Sequence, residues 1–102
     1  GKSVPFASRM LTVVSVDEAI AQKPDYAIFS AGSSTSKIYA PKFAEVGTVV
    51  IDNSSAWRNE PEVPLVVPEI NIVAVDNDDR IIANPNCSTI QMVLALSQLH
   101  AK

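Results

Sequence analysis

Short apolar runs that lack polar alternation constrain this chain more than any other feature. Residues 11–16 (LTVVSV), 26–29 (YAIF), 48–51 (TVVI) and 80–83 (RIIA) are rich in β-branched or aromatic residues, and each gives way to a small-residue or polar stretch. A strand with one wet face alternates apolar and polar positions, whereas a strand covered on both faces reads as a near-continuous apolar run. Strands of the second kind, alternating with helical patterns, predict an α/β fold: part of a doubly wound parallel sheet.

The helical patterns lie between the runs. Asp17 is expected to cap a short helix that reaches about Gln22 and stops at Lys23, Pro24 and Asp25. Ile38, Tyr39, Phe43 and Val46 mark the apolar face of a second helix, ended by Gly47, with Pro41 either in its first turn or at a kink. A loop-like stretch follows, in which Pro61, Pro64 and Pro68 surround an extended Leu65, Val66 and Val67, and residues 76–79 form a polar turn. From Ser88 onward, Ile90, Val93, Leu94, Leu96 and Leu99 predict an amphipathic helix of about three turns.

Composition narrows the class. Hydrophobic residues make up 47% of the 102 and charged residues 19%, enough apolar surface for a packed core. The formal charge is −3 and the eight Lys and Arg are scattered, so the basic patch a nucleic acid requires is lacking. No apolar run approaches the roughly 18 residues of a membrane-spanning helix. One Cys excludes an internal disulfide and a multi-cysteine metal cluster, and no metal is expected. Repeats, linkers and composition shifts are absent. The chain starts Gly1-Lys2-Ser3, with neither a signal-peptide nor a transit-peptide pattern, and stops directly after a helical pattern. The expectation is a piece of a longer protein.

In open parallel sheets, ligands bind beyond the carboxyl ends of the strands. Three loops there carry chemistry. Cys87 stands where a strand passes into a helix, and the unpaired N–H groups and dipole of a helix start favour negative charge, which suits a nucleophilic thiolate. An adjacent amide or backbone N–H can serve as an oxyanion donor. The plainer alternative is a small buried apolar residue. Ser30-Ala31-Gly32-Ser33-Ser34-Thr35 follows another strand; small residues admit a ligand to the backbone, and hydroxyls with N–H groups cradle phosphate. It is neither GxGxxG nor GxxxxGK[ST], and a polar turn with a Ser N-cap explains it too. Arg58, beside Trp57 in the loop 53–60, suits bidentate capture of phosphate or carboxylate, the alternative being a solvated pair with Glu60 or Glu62. His100 lies about 20 Å along the same helix from Cys87, too far to be its base, and reads as a residue near a helix C-terminus.

Four blocks add a resemblance. Asn84-Pro85-Asn86-Cys87-Ser88-Thr89-Ile90-Gln91-Met92, Ser30-Ala31-Gly32-Ser33-Ser34, Val50-Ile51-Asp52-Asn53-Ser54-Ser55-Ala56-Trp57-Arg58 and Val63-Pro64-Leu65-Val66-Val67-Pro68-Glu69-Ile70-Asn71 resemble the aspartate-semialdehyde dehydrogenases in order and spacing. The resemblance spans nearly the whole chain. It implies a Rossmann-like NAD(P)-binding domain and a cytoplasmic, NADP-dependent phosphorylating aldehyde dehydrogenase on the route to lysine, threonine, methionine and isoleucine. It also implies aspartate semialdehyde and phosphate as substrates, and subunits associated as dimers or tetramers. By the same resemblance Cys87 is the nucleophile, Asn86 helps place it and the oxyanion, and Arg58 holds phosphate. Ser30, Ala31, Gly32 and Thr35 line the cofactor path, and Asn53 borders the nicotinamide side. Glu69 and Asn71 receive no role beyond shaping the subunit.

The family's glycine-rich first unit is not found in this sequence, and its catalytic His and substrate-carboxylate Arg belong to a second domain. Residues 1–102 therefore read as a partial cofactor domain plus the nucleophile, inactive alone. Two other readings stand beside this one: an N-acetyl-glutamyl-phosphate reductase-like enzyme, which shares a Cys after an Asn-Pro pair, and a non-catalytic nucleotide-binding module.

Overall fold

Residues 2–100 are described in a computed structural model, His100 by its backbone alone; Gly1 and the side chain of His100, to which the helix-end reading applied, lie outside the described residues. Ten elements follow one another: β1 (Ser3–Phe6), β2 (Arg9–Thr12), α1 (Val16–Ala21), β3 (Tyr26–Phe29), α2 (Ser33–Glu45), β4 (Val49–Asp52), α3 (Pro68–Asn71), a 3-10 turn (Ile72–Ala74), β5 (Ile81–Ala83) and α4 (Cys87–His100).

Three of the four apolar runs form the predicted parallel sheet, in the order β3-β4-β5. Their carboxyl ends, Phe29, Asp52 and Ala83, are in register across it. Leu65 makes a further parallel bridge to Ala83, and the Val66 N–H donates to the Ala83 carbonyl at 3.0 Å. The extended 65–67 segment thus continues the sheet beyond β5.

The run 11–16 does not join this sheet. Its first two residues end β2, which pairs antiparallel with β1 in a separate hairpin, with Phe6 opposite Arg9. Of the two loop residues, Ala7 has φ 55°, the sign pattern of a type II′ turn, whose first central position favours glycine. With Ala in that place, the sequence carries no hairpin signal. The expected cap of α1 also moves: the Ser15 Oγ accepts the Glu18 N–H at 3.2 Å, and Asp17 sits inside the first turn. Lys23, at φ 50°, closes that helix in the left-handed region before Pro24.

Helix α2 starts five residues before its first apolar marker. Pro41 is therefore neither in the first turn nor at an end; it is the ninth residue of thirteen, where it lacks the N–H that would reach Lys37. The helix ends at Val46 and Gly47, the latter at φ 92°. Ala40 and Phe43 on its inner face pack on Val50, with Ala27, Phe29, Trp57 and Ile81 around them. Phe29 meets Phe43 edge to face at 5.5 Å. The strands are covered on this face more than on the other: Ile28 is 80% and Tyr26 70% exposed. Burial alternates with period two along β3 even though the sequence does not.

Helix α4 has fourteen residues, about four turns rather than three, because it begins at Cys87 and reaches His100. The short α3 and the 3-10 turn occupy part of the stretch expected to be loop. Asn71 clasps it: its Oδ1 accepts the Val67 N–H and its Nδ2 donates to the Leu65 carbonyl, both at 2.8 Å.

Candidate active site

Every candidate residue lies in a loop or helix start that follows the carboxyl end of a sheet strand. Hydrogen bonding extends past the strand ends: the Asn53 N–H donates to the Phe29 carbonyl at 2.8 Å and the Asn84 N–H to the Asp52 carbonyl at 2.9 Å. Side chains tighten the same edge, the Asn84 Nδ2 donating to the Asn53 Oδ1 at 2.7 Å.

Arg58 is built into this edge. Its Nε donates to the Asn84 carbonyl at 2.9 Å and its Nη2 to the Asn53 carbonyl at 3.4 Å. A guanidinium has five N–H donors in a planar fork. The side formed by Nε and Nη2 is taken by backbone oxygens, which leaves the Nη1–Nη2 end for an oxyanion. Pairing with Glu60 or Glu62 does not occur: Glu60 pairs with Lys37 at 3.3 Å, and no carboxylate of the described residues bridges to Arg58. Nor does the neighbouring indole serve Arg58. The Lys37 Nζ lies 4.3 Å from the Trp57 ring centre, while the Trp57 Nε1 donates to the Ser36 Oγ at 2.8 Å.

The loop carrying Arg58 is shaped from within. The Ser54 Oγ donates to the Asp52 Oδ2 at 2.6 Å and accepts the Ala56 N–H at 3.2 Å. Asp52 is fully buried, and its Oδ1 has no partner.

Cys87 is the first residue of α4 and is exposed, so the reading of it as a buried core thiol does not hold. Asn86 caps the helix: its Oδ1 accepts the Thr89 N–H at 3.0 Å and its carbonyl the Ile90 N–H at 3.0 Å. The cap uses the oxygen of the Asn86 amide and leaves its NH2 uncommitted by that bond.

At the end of β3, Gly32 is the N-cap of α2, at φ 91°, with no side-chain cap bond. The Ser N-cap alternative is thereby set aside. Glycine is needed there for the backbone angle, not for lack of room, since a Cβ would meet nothing within 4 Å. No side-chain acceptor caps the start of α2, and uncapped first-turn N–H groups are suited to an anionic group. Ser30, Ala31 and Thr35 line one end of a groove of about 380 Å³ that runs along β3 between α1 and α2. Asn53, Arg58, Asn86 and Cys87 do not line that groove; Arg58 and Asn53 are joined through Asn84 at the ends of β4 and β5, and Asn86 and Cys87 start the helix that follows β5. Among the described residues no group of carboxylates, His and Cys is arranged to hold a metal ion.

Residues 1–78 match the family described as semialdehyde dehydrogenase, NAD binding domain. The chain belongs to this family. An aspartate-semialdehyde dehydrogenase of Aquifex aeolicus is 55% identical over 105 residues, covering all of this chain and 31% of the relative. The chain thus spans about a third of the length of the curated relatives it matches. The crystal structure of aspartate semialdehyde dehydrogenase II from Vibrio cholerae complexed with ASA superposes with a TM-score of 0.89 at 45% identity, over 99% of this chain and 34% of that one. The enzyme from Candida albicans, solved with NADP, gives 0.61 at 26% identity over 76% of this chain and 26% of its own. The β3-β4-β5 sheet with its helices is the Rossmann-like sheet of these enzymes, as the resemblance implied. The residues that hold the Arg58 loop in place and that sequence reasoning passed over are Asn84, Ser36 and Trp57. Asn84 and Trp57 stand inside the quoted blocks, but nothing in the sequence pairs them with Arg58 or with Ser36.

Proposed function

We propose that residues 1–102 supply part of the NADP-binding domain and the nucleophile of a phosphorylating aspartate-semialdehyde dehydrogenase, interconverting aspartate 4-semialdehyde plus phosphate with 4-phospho-aspartate. The observation that carries the reading is Arg58. Its guanidinium is anchored by two backbone carbonyls at the edge from which α4 and Cys87 start, with one end of its fork unused. A fixed fork is suited to a phosphate or phosphoryl group.

In the reductive direction the Cys87 sulfur attacks the acyl carbon, the carbon–oxygen bond to phosphate breaks, and phosphate leaves toward Arg58. The product of that step is a Cys87 thioester. Its collapse after reduction releases the aldehyde and returns the thiolate. The NH2 of Asn86 donates to the oxyanion that forms at each addition. The nicotinamide cofactor supplies the hydride when bound. Ser30, Ala31, Gly32 and Thr35 hold its phosphates and ribose at the start of α2, and Asn53 borders its nicotinamide side. On this reading the protein acts in the cytoplasm in lysine, threonine, methionine and isoleucine synthesis, as a dimer or tetramer of complete subunits.

The test is phosphate-dependent NADPH formation from aspartate semialdehyde by the whole protein and by Cys87→Ser. The variant is expected to lose at least about a thousandfold in kcat. Turnover that survives the substitution contradicts the nucleophile assignment.

A further inference from the structure

The loop that carries Arg58 is tied to α2 as well as to the sheet edge. Ser36 is fully buried in the first turns of α2, one residue after Thr35, and its Oγ receives the Trp57 indole N–H at 2.8 Å. Trp57 is half-buried against the cluster of Ala40, Phe43 and Val50. On its other side Lys37 lies over the ring at 4.3 Å and reaches Glu60 at 3.3 Å, so α2 grips the loop on both sides of Arg58. The next residue, Arg58, faces the other way and donates to Asn84 and Asn53. Two consecutive side chains therefore bridge the helix start at the end of β3 to the strand ends of β4 and β5.

We propose that the Ser36–Trp57 hydrogen bond couples the two halves of the site, so that a nucleotide seated on the first turn of α2 sets the position of Arg58 and strengthens its hold on phosphate. Ser36 and Trp57 are positioning residues that touch neither ligand. The inference rests on the reading of Arg58 as the phosphate-binding group and of α2 as the nucleotide-binding helix. Its physical basis is geometric. The acceptor, Ser36, is fully buried, so breaking the bond costs its hydroxyl a partner that water does not readily replace, and a shift of the α2 start is passed to Trp57 and, through the peptide bond, to Arg58. Coupling of this kind is reciprocal between the two ligands.

The experiment is the equilibrium binding of inorganic phosphate to the whole protein by calorimetry, with and without saturating NADP+. The proteins compared are the parent, Trp57→Phe, Ser36→Ala, the double variant of these two, and Arg58→Lys. The parent is expected to bind phosphate roughly three to ten times more tightly with NADP+, the scale of one net hydrogen bond. Trp57→Phe keeps an aromatic ring without the N–H, Ser36→Ala keeps the helix, and each should bring that ratio close to one while the affinity for NADP+ alone changes less than about twofold. The double variant should match the singles, since both remove the same bond. A ratio unchanged in Ser36→Ala and Trp57→Phe, with Arg58→Lys weakened, overturns the coupling and leaves the Arg58 assignment standing. Unchanged phosphate binding in Arg58→Lys overturns that assignment and the coupling with it.

Discussion

At the scale of single residues, Arg58 illustrates how a surface-type side chain becomes fixed at a sheet edge. Its anchors are main-chain carbonyls of Asn84 and Asn53, which substitution elsewhere does not remove, and they orient the fork before any ligand arrives. A Lys in its place keeps the charge but can neither hold both carbonyls in that plane nor present two parallel N–H groups. On the proposed function, Arg58→Lys in the whole protein is therefore expected to raise the apparent KM for phosphate about tenfold or more, with a smaller change in kcat; steady-state kinetics with phosphate varied would measure it. An unchanged phosphate KM contradicts the role. The Asn86 Oδ1 caps α4, and its NH2 is the proposed oxyanion donor. Asn86→Asp keeps the cap acceptor and removes the donor, so we expect kcat to fall roughly a hundredfold while the melting temperature stays within about two degrees.

At the scale of elements, the helix ends are where stability and site geometry meet. Gly47 ends α2 at φ 92°, and a Cβ there would meet open space, so the cost of Gly47→Ala is backbone strain without a clash. About 1–2 kcal/mol of destabilisation is expected, read from urea unfolding of the whole protein; an effect near zero would show that the turn relaxes freely. Phe43 joins α2 to the sheet through Val50 and the edge-on contact with Phe29. Phe43→Ala should cost about 3–5 kcal/mol, the scale of an emptied aromatic site in a core. The hairpin of β1 and β2 was illegible because its turn places Ala7 where a Gly or Asn would have signalled it. The cap of α1 falls on Ser15, not Asp17, for a related reason. Both residue types cap helices, and the choice between them is made by where the chain leaves the hairpin.

At the scale of the molecule, 102 residues cover little of their own apolar surface. The radius of gyration is 15.7 Å, against about 13 Å for a compact domain of this size, and the extents are 51 × 31 × 24 Å. Tyr26 and Ile28 on β3, Phe6 and Met10 on the hairpin, and Met92 and Leu99 on α4 are all more than half exposed. Among the described residues, the fully or nearly buried apolar ones are Ala40, Phe43, Val50, Val66, Val67 and Ala83, mostly small side chains. A segment of these 102 residues produced by itself is expected to bind ANS and to unfold broadly, without measurable phosphate-dependent NADPH formation. A sharp two-state transition with no dye binding, or turnover near that of the whole enzyme, would contradict this.

The sequence by itself determined the α/β class, the three strands of the parallel sheet, the two long helices and the three loops in which the candidate residues stand, because hydrophobic runs and turn chemistry are local properties. The four motif blocks pointed to the family for the same reason, being contiguous stretches. What only the tertiary structure decided is which groups meet. Arg58 reaches back to Asn53 and forward to Asn84, twenty-six residues away, and Trp57 reaches Ser36 across twenty-one. Such contacts depend on the register that brings Phe29, Asp52 and Ala83 side by side, and pairing between strands leaves no periodicity along a single stretch of chain. The fold of the run 11–16 went the same way: its composition is that of a strand, and its partner was chosen by a turn at Ala7 that local residue preference does not favour.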